Sequence, residues 1–257
     1  GASTNLSELP LWAFERVEVY RGLAPLTLDS TAMGGAVNLV TRTAGSGSFA
    51  GALSAGSWGT VRAQATSEGP LGAVPDAPRV FVAVDGLATE GDALWFDDGG
   101  TRGTSADDRV RRRSNNDTAQ LSGVGRLRLG DDGLGASVGD AVLVREEGVP
   151  GTTFAPLDGV RYGVRRHLPS VDGHAVVGGA RVHGRLFGIH RDETLDDPKG
   201  AVGAPRTVRT VTAAYGARAQ VEAAPARGLG LSAMASVRRD LLDGQGGQVT
   251  EEVAVDP

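Results

Sequence analysis

Four groups of residues in this chain could do chemistry. Gly135-Ala136-Ser137-Val138-Gly139 matches the G-x-S-x-G pattern that strains and exposes a nucleophilic serine between a strand and a helix. Here the turn Asp131-Asp132-Gly133 precedes it and a β-type run follows, so the helix that the elbow requires is missing. The four histidines, His167, His174, His183 and His190, are spaced by seven, nine and seven. On one continuous strand an odd spacing places residues on opposite faces, so no two neighbours share a metal from a single strand. Asp97, Asp98, Asp107 and Asp108 could gather a divalent cation through oxygen ligands. The EF-hand spacing is absent, and a solvated acidic loop explains them more simply. Arg109 and Arg111 to Arg113 form a basic cluster without the interleaved aromatics that nucleic-acid binding needs, and pairing with the nearby aspartates is the simpler reading. No catalytic residue, cofactor site or metal site is expected.

The elements that carry these groups are strands. Of 257 residues, 39 are glycine and 40% are hydrophobic, with 12 aromatics (6 Phe, 3 Trp, 3 Tyr), no cysteine and a net charge of −5. The missing cysteines exclude thiol catalysis and disulfide scaffolds. No apolar run approaches the ~20 residues of a spanning helix, and the charge is too small and too evenly spread for a nucleic-acid partner. Two-residue alternation recurs nine times: Ser48–Ala55, Val61–Thr66, Val80–Gly86, Thr118–Leu129, Leu134–Val144, about Val164–Val171, Ala180–Leu186, Thr210–Glu222 and Leu229–Val237. The eighth and ninth sustain it for about the 9–11 residues that cross a bilayer at a tilt.

The connections sort by length. Asp131–Gly133 and Ala224–Gly228 are short, whereas Glu90–Asn116, Arg145–Val160, Asp192–Arg206 and the tail after Asp240 are long and polar. Counted in strand order, the long ones fall at one end of the sheet. That is the asymmetry of outer-membrane barrels, which a soluble sandwich has no reason to show. Twelve aromatics are few for the girdles of such a barrel; Trp58, Trp95, Phe96 and Tyr215 are placed near strand ends.

The start of the chain is different. Leu6–Glu15 reads as a short helical turn with Ser7 as N-cap, Arg16–Arg21 as a strand, Leu23–Met33 as a loop, Ala36–Thr41 as a second strand and Gly45–Ser48 as a linker. "ERVEVYRG", eleven residues, then "GGAVNLVTR" resembles the end of the plug domain of TonB-dependent outer-membrane receptors. The loop of that family usually carries Tyr-Gly-Ser, where this chain has Leu28-Asp29-Ser30. Phe96–Thr118, with its Arg-x-Asn-Asn-Asp, and Gly148–Gly151 are similar to early barrel segments of the same family.

The resemblance implies an all-β fold: about nine strands of a transmembrane antiparallel β-barrel at 45–257, preceded at 1–44 by the C-terminal part of a small α+β plug domain. Complete barrels of this kind have about 22 strands around a plugged lumen. The implied function is energy-coupled uptake of a scarce nutrient, such as a ferric siderophore or cobalamin, at the outer membrane of a Gram-negative bacterium. The implied partners are outer-membrane lipid, the nutrient, and TonB with its inner-membrane complex, engaged through a segment outside this sequence; nucleic acid is not among them. Glu18 and Arg21 are implied as plug–barrel contacts. The alternatives are a passive channel or adhesin of the outer membrane, or a soluble β-sandwich binding module.

Overall fold

Alternating small, β-branched and polar residues leave few options but extended chain, and strands dominate the observed fold. The computed structural model describes residues 8, 10–22, 34–42, 47–74, 76–97, 103, 105–152, 156–226, 229–244 and 252–256. A 3-10 turn, Leu11–Ala13, leads directly into β1 (Phe14–Gly22), which pairs antiparallel with β2 (Gly34–Thr41), Glu18 opposite Asn38. The helical turn expected over Leu6–Glu15 thus contracts: Pro10 caps it and Phe14 and Glu15 already belong to β1. Ser7 and the Leu23–Met33 loop lie outside the described residues.

Next come β3 (Ser48–Gly56), β4 (Thr60–Pro70) and β5 (Arg79–Thr89), then a separate hairpin of β6 (Leu94–Asp97) and β7 (Arg109–Arg112). They are followed by β8 (Thr118–Gly130), β9 (Leu134–Gly148), β10 (Arg161–His167), β11 (Ser170–Val177), β12 (Ala180–Asp197), β13 (Arg206–Ala226), β14 (Leu229–Gly244) and β15 (Glu252–Asp256). Apart from the β6–β7 hairpin, β3 to β15 form one antiparallel sheet in chain order, β10 and β11 sharing one row between β9 and β12. The nine expected strands are all present, with β15 as a further row.

Three details differ from expectation. The sixth strand is split, because Pro169 has no N–H for the ladder. At the break the Leu168 amide donates to both the Ala141 carbonyl and Asp140 Oδ1, each at 3.0 Å. The connection expected over Asp192–Arg206 shrinks to 198–205, since β12 and β13 run on into it. Of the four aromatics, Tyr215 sits mid-strand in β13 and Trp95 and Phe96 belong to β6, so only Trp58 stands at a strand end of the main sheet.

The polarity of the sheet is inside out. One face, which we call inner, carries Phe81, Ala83, Asp85, Gln120, Ser122, Val124, Ser137, Leu143 and Val164, all buried, and the N-terminal segment packs on it through Ala13 and Trp12. The other face exposes Val82 at 42%, Val84, Leu121, Val138, Val144, Leu186 and Tyr215. The accessible surface is 16420 Å², against about 10,600 Å² for a compact monomer of 26.3 kDa. On β13 the outer apolar positions run from Val211 to Val221. That is roughly 33 Å along the strand, which a tilt of about 40° turns into the ~25 Å apolar band of membrane barrels.

The outer face therefore predicts its own solvent. Val82→Arg, in the full-length protein refolded in lipid vesicles, should cost about 2–4 kcal/mol in denaturant titration. A change within ±0.5 kcal/mol, ordinary for a water-exposed site, would count against a lipid-facing wall.

Candidate functional site

The N-terminal segment is tied to the sheet by charge. Arg166 of β10 and Arg191 of β12 are register partners, and like charges directly opposite on neighbouring strands repel. Glu8, only 2% exposed, lies between them. Its Oε2 accepts from Arg166 Nη1 at 2.9 Å and Arg191 Nη1 at 3.0 Å, and its backbone carbonyl accepts from Arg166 Nη2 at 3.0 Å. Arg191 also donates to Glu193 Oε1 at 3.0 Å, and the Tyr162 hydroxyl donates to the same carboxylate oxygen. Two guanidinium groups and two carboxylates thus compensate one another, as burial of charge requires. Below them Ala13 packs against Phe81, Ala83 and Val124.

Glu18 and Arg21 are placed differently. Glu18 accepts from Arg16 Nε at 2.7 Å, Asn38 Nδ2 at 2.9 Å and the Tyr20 hydroxyl at 3.0 Å, all within the β1–β2 pair. The Asn38 amide, then Arg16 and Tyr20, hold its carboxyl below the usual 4.5. A depressed carboxylate stabilises the fold above its unfolded pKa and loses that contribution as pH falls through the folded value, so β1–β2 loosens only in acid. Arg21 is exposed and has no ion pair among the described residues. The contact missed in the sequence is Glu8, which the sequence places only within the short turn of Leu6–Glu15. Its partners lie 158 and 183 residues away, beyond the reach of any local pattern.

At the end of the long connections, the Arg113-Ser114-Asn115-Asn116-Asp117 stretch works as a clamp. Asn115 adopts a positive φ of 53°, and its Nδ2 donates to the carbonyls of Val149 at 2.9 Å and Val160 at 3.0 Å. Arg113 Nη2 donates to the Gly151 carbonyl at 2.7 Å, and Asp117 pairs with Arg161 at 2.8 Å. Asn116 Nδ2 donates to the Gly91 carbonyl at 2.7 Å. Gly91, at φ +62°, must be glycine: a Cβ there would lie 2.0 Å from the Asn116 carbonyl oxygen. The 90–117 and 149–160 connections are therefore one unit. Within the first, Asp97 is buried against Arg111 Nε at 2.6 Å, and Arg112 pairs with Asp92, so the basic cluster does pair with neighbouring aspartates. Asp107 is exposed and Asp108 partly so; Asp98 lies outside the described residues.

Ser137 is buried on the inner face, where its hydroxyl accepts from Arg126 Nη2 at 2.9 Å; the strand continues past it, with no helix to form an elbow. Gly135 in the same motif leaves room for a histidine ring, since a Cβ would come within 2.6 Å of His174 Cε1. The histidines do pair, across strands: His174 faces His183 on the inner side and His167 faces His190 on the outer. A shared distance from the Gly178-Gly179 turn was the available signal. His174 Nε2 donates to the Asp131 carbonyl at 2.8 Å. Among the described residues no group of three or more histidine or acidic side chains is placed to hold a metal ion.

Removing the Glu8 charge should release the N-terminal segment. Glu8→Gln leaves the half-buried Arg166 without a carboxylate and Arg191 with Glu193 alone, a loss of about 3 kcal/mol, the low end for broken buried pairs. Limited proteolysis in urea should cut the segment at lower urea in this variant, while Glu15→Gln, an exposed neighbour, should match the parent. Equal resistance of Glu8→Gln and the parent would refute the tie.

No profile of a known protein family matches the chain, and no curated protein matches it. Solved structures do. The siderophore receptor PiuA from Acinetobacter baumannii superposes with a TM-score of 0.62 at 14% identity, over 95% of this chain and 38% of that one. The FpvAI–pyocin S2 complex matches at 0.51 and 14%, over 94% and 42%. P. aeruginosa FpvA bound to heterologous pyoverdines matches at 0.51 and 14%, over 94% and 43%. The chain thus spans about two fifths of the length of these structures. Its fold is that of part of the β-barrels in these structures, the fold implied by the resemblance at its start.

Proposed function

We propose that the chain is part of an outer-membrane receptor for energy-coupled uptake of a scarce nutrient, a ferric siderophore or a chelate of similar size. The observation that carries the reading is Glu8 between Arg166 and Arg191: a segment preceding the barrel strands lies inside the wall and is held there by charge. A passive pore has no use for such an obstruction, and an adhesin needs no wall carrying a buried acid such as Asp85. Residues 1–44 are read as the end of the plug and 45–257 as barrel. Glu18 and Arg21 keep, within this proposal, the role of further plug–barrel contacts. The clamped connections around Asn115 would form part of the capture surface, and coupling to TonB would move the plug. No step of this function changes the ligand chemically.

Two measurements test the reading. The full-length product should require detergent or lipid to stay folded; a β-rich circular dichroism spectrum retained in plain buffer would favour the soluble sandwich. Iron-starved cells carrying the full-length gene should accumulate a labelled ferric siderophore while the inner membrane is energised and TonB is present. Accumulation that survives loss of either would instead identify a passive channel.

A further inference from the structure

Charge on the inner face is balanced in one half and unbalanced in the other. Around Glu8 and toward the long connections four arginines have carboxylate partners: Arg62 with Asp85 at 2.7 Å, Arg145 with Glu147, and Arg166 and Arg191 with Glu8. Toward the short turns the cations outnumber the acids. Arg79, Arg126, Arg128, Arg181 and Arg185 share this region with one inner-face carboxylate in ion-pair reach, Asp172. Asp172 lies 3.7 Å from Arg126 Nη2 and 3.6 Å from Arg185 Nε. Arg128 relies on Asp132, whose side chain is 99% exposed in the turn. Arg79 and Arg181 are exposed and have no ion-pair partner among the described residues. Glu222, the register neighbour of Arg181, accepts instead from Gln220 Nε2 at 2.8 Å.

Apart from Arg185, these side chains line two adjoining cavities. One, of about 120 Å³, is bounded by Arg79, Arg126, Arg128, Ser137, Asp172 and the two histidines; the other, of about 400 Å³, by Asp132, Arg181, Gln220, Glu222 and the same histidines. The facing imidazoles of His174 and His183 suggest a metal ion at first sight. A divalent cation would be repelled by the surrounding guanidinium groups, and no third ligand converges on it among the described residues. In the smaller cavity, where Arg79, Arg126 and Arg128 share Asp172 alone, an anion gains from the same surroundings; Arg181 is the cation of the larger one, beside Asp132 and Glu222. Guanidinium forks match carboxylate and phosphate oxygens in bidentate fashion.

We infer that the short-turn end of the inner wall binds a small, multiply charged anion bearing carboxylate or phosphate groups. Its meaning as the far half of an uptake path rests on the receptor reading; the binding itself is a property of the wall. The test uses the full-length protein in non-ionic detergent, its folded state checked by circular dichroism, with citrate and inorganic pyrophosphate as calorimetric probes at low salt. Saturable binding is expected, weakening as salt rises. Arg79→Gln with Arg181→Gln, both at exposed positions, should weaken it at least tenfold. The lysine pair at those positions should lie between, and Arg209→Gln on the outer face should leave it unchanged. No saturable binding by the folded protein, which is also the outcome if the plug's own acids neutralise the wall, would overturn the inference. So would equal binding by the double glutamine variant. A protein that fails energised uptake yet binds these probes would lose the receptor reading and keep this one.

Discussion

Two arginines facing each other across a pair of strands cannot both stay charged in a half-buried wall unless a carboxylate lies between them. Arg166 and Arg191 are in that position, and the acid comes from before the first strand. That requirement fixes where the start of the chain must sit. It brings Ala13 and Trp12 down onto Phe81, Ala83 and Val124, and it defines which face of the sheet is inner. With the Glu8 carboxylate removed, Arg166 would have no ion-pair partner among the described residues.

The polarity of the wall follows from the same alternation that makes the strands. Every second residue of β5, β8 and β9 points inward, and those positions hold Asp85, Gln120, Ser122 and Ser137 alongside a few apolar side chains. The positions between hold mainly valine, leucine, alanine and glycine. In water this arrangement forfeits the hydrophobic contribution that normally drives folding; against hydrocarbon it is the stable one.

Period-two alternation is a local property, so the strands were legible residue by residue, and the balance of connection lengths pointed to the correct architecture. Features that depend on distant residues were not. The β6–β7 hairpin lies in a stretch dominated by charge, where Trp95 and Phe96 gave no clear period. The break at Leu168-Pro169 needed the knowledge that Asp140, a strand away, would receive the spare amide. Odd spacing correctly separated the histidines along one strand but was silent about the turn that folds His174 onto His183. Glu8 was the largest omission, because a single acid near a proline carries no sign of arginines more than 150 residues on.

The Asn115 clamp has a consequence for how such a surface can change over time. Its bonds run from one side chain to main-chain carbonyls at the bases of two connections, so they constrain backbone position and leave the identities of the outer residues free. Length and composition can drift beyond the bases, across the β6–β7 hairpin and its tip, without disturbing the frame that presents them. The architecture thereby separates a fixed mounting from an exchangeable head, and the head can be altered without repeating the problem of building a wall.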